Sequence, residues 1–236
     1  MSTQSSPPTL LLVGASRGLG HAMAAEFVKR GWNVMGTVRG GTARTLLHDL
    51  ADAHPGHVEI EVLDICEPLE LAALSERLAG RTFDMLFVNA GTTNRDPSQT
   101  IGEVSTEEFV HVMITNALSP MRVIETLAQY VGPAGLIGAM SSGQGSIGNN
   151  ETGARELYRG SKAALNMFMR SFAARHADSS RAMVLMAPGW IRTEMGGAGA
   201  PFTIEENVPR VVDVLLSKRS TPGLQYLDYL GRTVPW

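Results

Sequence analysis

A tyrosine and a lysine stand four residues apart in the stretch ELYRGSKAAL, residues 156–165. The alanines and leucine that follow favour a helix, which would place Tyr158 and Lys162 on one face, a turn apart. A neighbouring ammonium favours the phenolate and lowers the pKa of a phenol. Such a tyrosine can act as a general acid or base near neutral pH. Taken alone, the pair is a weak signal, because short motifs also arise by chance.

A glycine-rich turn is the second chemical signal. Gly14, Gly18 and Gly20 lie in LLLVGASRGLGHAM, between an apolar run and a helical pattern. Glycine lets the backbone approach a pyrophosphate, and the N-terminus of the following helix offers free N–H groups to it. The same glycines would also suit a tight turn without a ligand. Their position at the first strand-to-helix corner favours a dinucleotide site.

Two arginines indicate which dinucleotide. A cofactor with a free ribose 2′-hydroxyl usually meets an Asp or Glu about 20 residues past the glycine loop. At that distance stands Arg39, and Arg17 lies within the loop itself. Guanidinium groups bind a 2′-phosphate, so we expect NADP(H) to be preferred over NAD(H). Solvated surface positions are the alternative interpretation of both arginines.

Short apolar runs alternate with helical patterns along the chain. Strands are predicted at residues 9–13, 33–38, 58–63, 84–88, 135–140, 182–187 and 224–229. Helices are predicted near residues 19–30, 43–53, 68–79, 106–130, 157–176 and 205–217. This alternation is typical of a parallel sheet covered on both faces. The predicted fold class is therefore α/β, a doubly wound, Rossmann-type sheet of seven parallel strands with helices on both faces.

Two long polar loops follow the fifth and sixth predicted strands, at residues 141–156 and 188–204. Ligands of open parallel sheets bind beyond the carboxyl ends of the strands, where these loops emerge. The candidate substrate wall consists of Gln144, Ile147, Asn149, Trp190 and the glycine-rich segment 195–202.

Composition limits the functional classes. With 44% apolar and 18% charged residues, the chain fits one domain over residues 9–236 after a disordered tail of residues 1–8. A net charge of −3 offers no electrostatic basis for binding nucleic acid or an anionic membrane surface. The lone Cys66 excludes an intrachain disulfide and fits a reducing compartment, so a cytoplasmic location is expected. The six histidines show no metal-ligand spacing, and we expect no metal.

Further motifs resemble the classical short-chain dehydrogenase/reductase family from about residue 9 onward. They are LDI at 63–65, NAG at 89–91, VMITNALSP, MSSGQGSIG and PGWIRTEM, which occur in the family's order. The stretch GSIGNNETG and the final PW are similar to the C-factor-like carbonyl reductase branch. Two positions depart from the family pattern, because Val13 and Val88 stand where Thr and Asn are usual.

The resemblance implies roles for particular residues. The implied catalytic set is Asn116, Ser142, Tyr158 and Lys162, with Ser141 as the competing alignment for the serine. The implied cofactor-binding set is Gly14, Ser16, Arg17, Gly18, Leu19, Gly20, Arg39, Asp64, Ile65, Asn89, Ala90, Gly91, Tyr158, Lys162, Pro188, Gly189, Ile191 and Thr193. Ser142 and Tyr158 would also contact the substrate. Tyr158 would transfer the proton, Ser142 would fix the substrate oxygen, Lys162 would hold the nicotinamide ribose, and Asn116 would organise a relay water.

The implied function is that of an NADP(H)-dependent oxidoreductase of the carbonyl reductase/alcohol dehydrogenase type. It would transfer hydride between the nicotinamide and a small-molecule carbonyl or secondary alcohol. An epimerase or dehydratase of the related extended type is one alternative, although such chains usually carry a larger substrate domain. A cofactor-sensing binding protein with vestigial chemistry is another. The resemblance also implies a homodimer or homotetramer packed through the helices 106–130 and 157–176.

Overall fold

The computed structural model describes residues 6–41 and 43–236. Within them lies a seven-stranded sheet. Its strands are β1 (Thr9–Val13), β2 (Asn33–Val38), β3 (Val58–Val62), β4 (Phe83–Val88), β5 (Val131–Met140), β6 (Ala182–Ala187) and β7 (Gly223–Asp228). Of the predicted tail, residues 1–5 lie outside the described residues, and residues 6–8 have no regular secondary structure.

The strand order is β3-β2-β1-β4-β5-β6-β7, and every neighbouring pair is parallel. The winding direction reverses between β1 and β4, which lie side by side at the centre of the sheet. The loops that leave the carboxyl ends of these two strands therefore run to opposite sides. A crevice opens between them, and in folds of this kind it is the ligand site.

Helices cover both faces of the sheet. They are α1 (Gly18–Lys29), α2 (Leu46–Ala53), α3 (Pro68–Arg77), α4 (Thr106–Met113), α5 (Ser119–Leu127), α6 (Glu156–Arg175) and α7 (Ile204–Lys218). Helices α1, α2 and α7 share one apolar core with one face of the sheet, and α3, α5 and α6 share another with the opposite face. The predicted fold class is confirmed. None of the helices within the described ranges has the length and apolar character needed to cross a membrane.

The predicted helix 106–130 is interrupted at its centre. A π-helical segment, Ile114–Leu118, joins α4 to α5, and the Ser119 N–H bonds the carbonyl of Ile114, five residues back. Pro120 has no N–H with which to bond the carbonyl of Asn116, so the regular helical ladder cannot continue there. Single π-turns inside helices are frequent at functional sites. Here the π-turn contains Asn116, whose side chain is fully buried.

Outside that helix, two boundaries differ from the prediction by three or more residues, and the others differ by no more than two. Strand β5 begins at Val131 rather than 135, because its first part, which holds Gly132 and Pro133, pairs with β4 across a shift in register. Helix α2 begins at Leu46 rather than 43. Thr45 ends the preceding loop there by forming a reciprocal capping box with His48.

Candidate active site

A cavity of about 880 Å³ lies at the carboxyl ends of the central strands. Its wall combines the glycine loop after β1, the loops after β4, β5 and β6, and the start of α6. Among the residues predicted for the site, those that line it are Gly14, Ser16, Arg17, Gly18, Leu19, Arg39, Asn89, Ala90, Gly91, Ser141, Ser142, Gln144, Tyr158, Lys162, Pro188, Gly189, Trp190, Ile191 and Thr193, with Met195 and Gly196 of the segment 195–202. The fold thus brings motifs that are far apart in the chain to one place.

Each glycine of the loop is needed for a different reason. Gly14 has a φ of +88°, and a Cβ there would lie 2.8 Å from the backbone nitrogen of Ala90. Gly18 has a φ of +55° and faces open space. Gly20 lies within α1, and a Cβ on it would approach the carbonyl oxygen of Gly14 to 2.0 Å. The loop therefore packs closely against the NAG motif and leaves its outer backbone accessible.

The backbone of Gly14 is held by side chains on both sides. Its N–H donates to Thr37 Oγ1 at 2.9 Å, and its carbonyl accepts from Asn89 Nδ2 at 2.8 Å. Although Val13 and Val88 replace the family's usual Thr and Asn, Thr37 and Asn89 provide polar partners for the loop backbone. Sequence reasoning missed Thr37. Its signal was a threonine within the otherwise apolar run NVMGTV.

The N-terminus of α1 is free to bind an anion. Its N-cap, Arg17, makes no side-chain capping bond, and the first turn carries no acidic residue. Gly18 and Leu19 line the cavity at this point. Uncapped N–H groups and the positive end of the helix dipole suit a pyrophosphate. The residues present therefore fit a dinucleotide.

The two predicted phosphate-binding arginines differ in their contacts. Both side chains are exposed. Arg39 lines the cavity, whereas Arg17 Nη1 forms an ion pair with Glu194 Oε2 at 2.9 Å across the cavity mouth. Glu194 belongs to the loop after β6, so this pair links the glycine loop to the predicted substrate loop.

Asp64 and Ile65, two residues of the predicted cofactor-binding set, lie outside the cavity lining. Asp64 directs its Oδ1 to the N–H of Cys66 at 2.9 Å, which closes a local turn. Ile65 is buried in the apolar core between the sheet and α3.

The predicted catalytic residues converge at the inner end of the cavity. Tyr158 and Lys162 lie one turn apart on α6 and are both buried, with Lys162 Nζ 5.9 Å from the centroid of the Tyr158 ring. Lys162 Nζ donates to the carbonyl of Met140 at 3.0 Å. Asn116 lies behind this group, and a Cβ on Gly91 would be 3.3 Å from both Asn116 Oδ1 and Lys162 Nζ.

The two candidate serines differ in what their hydroxyls do. Ser141 is buried and donates to Asn166 Oδ1 at 2.6 Å. Ser142 Oγ accepts from the N–H of Gln144 at 3.1 Å, and its hydroxyl lies beside the phenol of Tyr158. The backbone carbonyl of Ser142 is fixed by the hydroxyl of Tyr226. This geometry favours Ser142 as the serine that meets a substrate.

The electrostatics of the pair differ from the simple expectation. Burial lowers the pKa of Lys162 to about 8. Burial also raises the pKa of Tyr158, although a hydrogen bond with Ser142 and the positive charge of Arg155 oppose the rise. The positive charge that lowers the phenol pKa is that of Arg155 rather than that of Lys162, whose ammonium donates to the carbonyl of Met140.

The substrate wall is only partly as predicted. Gln144 and Trp190 line the cavity, and the Trp190 indole donates to the carbonyl of Gly196 at 2.7 Å. Ile147, 75% exposed, and Asn149 are not part of the lining. The structure adds Arg155, which sequence reasoning missed although it stands three residues before Tyr158. Among the described residues, no group of three or more His, Cys, Asp or Glu is placed to hold a metal ion.

Comparisons with known proteins agree with this arrangement. The family model for short chain dehydrogenases matches residues 8–201. A short-chain dehydrogenase/reductase from Burkholderia multivorans, crystallised with bound NADP, is 70% identical and superposes with a TM-score of 0.96 over 98% of this chain and all of the other. A carbonyl reductase from Pseudomonas aeruginosa in complex with NADP is 31% identical, with a TM-score of 0.87 over 98% of this chain and all of the other. C-signal from Myxococcus xanthus is 33% identical over 65% of this chain and 92% of its own.

Proposed function

This chain belongs to the short-chain dehydrogenase/reductase family of oxidoreductases, and we propose that it uses NADP(H) to interconvert a carbonyl compound and a secondary alcohol. One observation carries the proposal. Ser142, Tyr158 and Lys162 meet at the inner end of a cavity whose outer end is an uncapped, glycine-rich helix N-terminus. The bound NADP of the two similar structures supports the same use of this cavity.

The residues that would hold NADP(H) fall into four groups. The glycine loop and the N-terminus of α1 would take the pyrophosphate, and Arg17 and Arg39 would take the 2′-phosphate. Lys162 would hold the nicotinamide ribose. The segment Pro188–Thr193 would lie along the nicotinamide. The cofactor supplies the hydride, and the chain orients the cofactor and substrate, excludes water and provides a proton.

The protein's part in reduction is proton transfer and orientation. Ser142 would donate its hydroxyl proton to the substrate oxygen and fix the carbonyl beside Tyr158. Tyr158 would then pass its phenolic proton to that oxygen as the alkoxide develops. Lys162 would stabilise the resulting phenolate through its ammonium charge. Burial of both side chains strengthens this attraction, because the local dielectric is low.

Exposed apolar side chains on α4 and α6 support the proposal that the protein is a homo-oligomer. Phe109 and Val110 on α4, and Met167 and Phe168 on α6, are between 42% and 60% exposed. A second copy would remove them from water. We further propose that residues 9–236 act as one domain and that the protein is cytoplasmic.

Isotope transfer tests the proposed chemistry. The protein is incubated with NADPH deuterated at the transferable position and with a panel of aromatic ketones, aldehydes and diketones. Deuterium at the carbinol carbon of a product is the expected result. Cofactor binding without turnover of any carbonyl would overturn the proposal and favour the cofactor-sensing alternative.

A further inference from the structure

Arg155 occupies a position that the proposed chemistry does not yet use. It is the last residue before α6, it lines the cavity, and its Cζ lies 5.1 Å from the centroid of the Tyr158 ring. We propose that Arg155 binds the substrate and selects carbonyl compounds that carry a carboxylate close to the reacting carbonyl. This inference rests on the proposed function and names its substrate class, an oxo acid.

The backbone at Arg155 is strained. Its φ of 61° and ψ of 43° lie in the left-handed region, and no other non-glycine residue in the described ranges has a positive φ. That conformation is unfavourable for a residue with a Cβ, whereas glycine adopts it freely. Gly153, two residues earlier, does so with a φ of 70°. Strain of this kind concentrates at ligand-binding and active sites. Here it lies directly before the helix that carries the predicted catalytic tyrosine.

The guanidinium lacks the partners that an arginine normally finds. Its Nη2 is 3.4 Å from Thr93 Oγ1, a long and neutral contact. Its Nε is buried and makes no hydrogen bond. No carboxylate of the described residues forms an ion pair with Arg155. A buried donor without an acceptor is costly, so a ligand that accepted from it would bind favourably.

The charges of the cavity wall also favour an anionic substrate. Among the described residues that line it, the cations are Arg17, Arg39, Arg155 and Lys162, and the one acid is Glu194. Glu194 is engaged by Arg17 at the mouth. The inner end therefore carries two positive groups and no carboxylate. Arg17 and Arg39 suit the cofactor phosphates and Lys162 suits the nicotinamide ribose, which leaves Arg155 for the substrate.

A carboxylate is the group that best matches this arrangement. The planar fork of a guanidinium binds a carboxylate through two parallel, charge-assisted hydrogen bonds. Because Arg155 lies over the Tyr158 ring, a carboxylate bound to it would lie next to a carbonyl that receives the phenolic proton. Its positive charge also opposes the burial that raises the pKa of Tyr158. Arg155 would thus both select the substrate and help Tyr158 to release its phenolic proton.

A matched pair of probes tests the inference. Benzoylformate and methyl benzoylformate share one ketone and differ in the carboxylate. We expect Arg155→Gln to lower kcat/KM for benzoylformate by about ten- to a hundredfold, mainly through KM, and to leave the methyl ester almost unchanged. Arg155→Lys, which keeps the charge and loses the fork, should fall between wild type and Arg155→Gln. Arg122→Gln is the control, because it removes an arginine exposed on α5, away from the cavity.

A binding measurement keeps the inference separate from the proposed function. Benzoylformate is titrated by calorimetry into wild type and Arg155→Gln, each with saturating NADP⁺. Benzoylformate that binds wild type and binds Arg155→Gln about ten- to a hundredfold more weakly supports the inference, whether or not turnover is seen. Equal binding in both proteins, no binding to wild type, or an equal loss of activity on acid and ester would overturn it. Reduction of the ester in any of those cases would leave the proposed function standing.

Discussion

The side-chain amide of Asn116 satisfies both backbone groups of Thr92. Its Oδ1 accepts from the Thr92 N–H and its Nδ2 donates to the Thr92 carbonyl, each at 2.8 Å. The same Nδ2 also donates to Ser161 Oγ on α6 at 2.9 Å. One side chain, presented by the π-turn, therefore ties the loop after β4 to the helix of Tyr158 and Lys162. This clamp fixes the wall of the cavity where the nicotinamide is proposed to lie.

Removing the Asn116 side chain should destabilise the folded protein. Asn116→Ala leaves two backbone groups of Thr92 without their partners, which should lower the free energy of unfolding by about 2–3 kcal/mol. Urea denaturation measures this loss. Asn150→Ala, in an exposed loop, is the control and should change stability by no more than about 0.5 kcal/mol. Equal stability of the two variants would show that the clamp is not needed.

The glycine loop should depend on Thr37 in the same way. Thr37→Val keeps the shape of a residue that is 1% exposed but removes the acceptor of the Gly14 N–H. We expect a loss of about 1–3 kcal/mol in unfolding free energy and weaker NADPH binding, since the loop backbone loses its anchor. Thermal unfolding and fluorescence titration check the two effects. Unchanged NADPH affinity would show that the loop is held by other contacts.

Much of this could be predicted from the sequence, for identifiable reasons. Strands β1, β2 and β6 have the predicted bounds, because continuous apolar runs with Gly, Asn or Pro at one of their ends mark buried parallel strands. The Tyr158–Lys162 pair was found because its spacing is that of one helical turn.

The missed features depend on contacts between distant segments. The roles of Thr37 and Arg155 arise from single side chains without a motif, and only the folded chain places them against Gly14 and Tyr158. Ile147 and Asn149 were misplaced because the composition of a loop does not specify which way its side chains point. The π-turn at Asn116 had a local cause in Pro120, but helical periodicity alone does not report a missing N–H.

Cofactor selectivity should depend on Arg39. Arg39→Ala should weaken NADPH binding by about tenfold or more and leave NADH binding nearly unchanged, because only NADPH carries the 2′-phosphate. Arg44→Ala is the matched control, since Arg44 is exposed, pairs with Asp49 and Asp52, and lies outside the cavity lining. Fluorescence titrations with both cofactors decide the outcome. An equal loss of affinity for NADPH and NADH would show that Arg39 does not bind the 2′-phosphate.

The ion pair at the cavity mouth should compete with the cofactor. Glu194→Gln releases Arg17, which then meets a phosphate without first breaking its bond to Glu194. Both side chains are exposed, at 66% and 78%, so the gain in NADPH affinity should not exceed about fivefold and should shrink at high salt. Titration at two ionic strengths measures both features. Weaker NADPH binding in the variant would mean that Glu194 helps to hold the cofactor.

Lys162 should make stability depend on pH in the alkaline range. Its pKa is about 8 in the fold, below its ordinary value of 10.5, so the unfolded chain binds more protons between these values. The free energy of unfolding therefore gains a contribution that rises as pH increases from about 8 towards 10, by up to about 3 kcal/mol. Lys162→Met should lack this rise.

Lys218→Met is the control for that experiment, because burial also lowers the pKa of Lys218 to about 8. Denaturation of wild type and both variants at several pH values separates the two lysines. Measurements stay below pH 10, since burial raises the pKa of Tyr158 and its titration would oppose the trend above that point. A Lys162→Met protein with the pH dependence of wild type would show that Lys162 titrates normally.

The most direct test of the proposed chemistry compares wild type with Tyr158→Phe in two assays, NADPH titration and NADPH consumption with a carbonyl that wild type reduces. The substitution removes only the phenolic oxygen from a buried ring. We predict NADPH affinity within about twofold of wild type and turnover lowered by about 10²- to 10⁴-fold, the usual contribution of a general acid. A Tyr158→Phe protein that binds NADPH and reduces the carbonyl at the wild-type rate would contradict the assignment of Tyr158 as the proton donor.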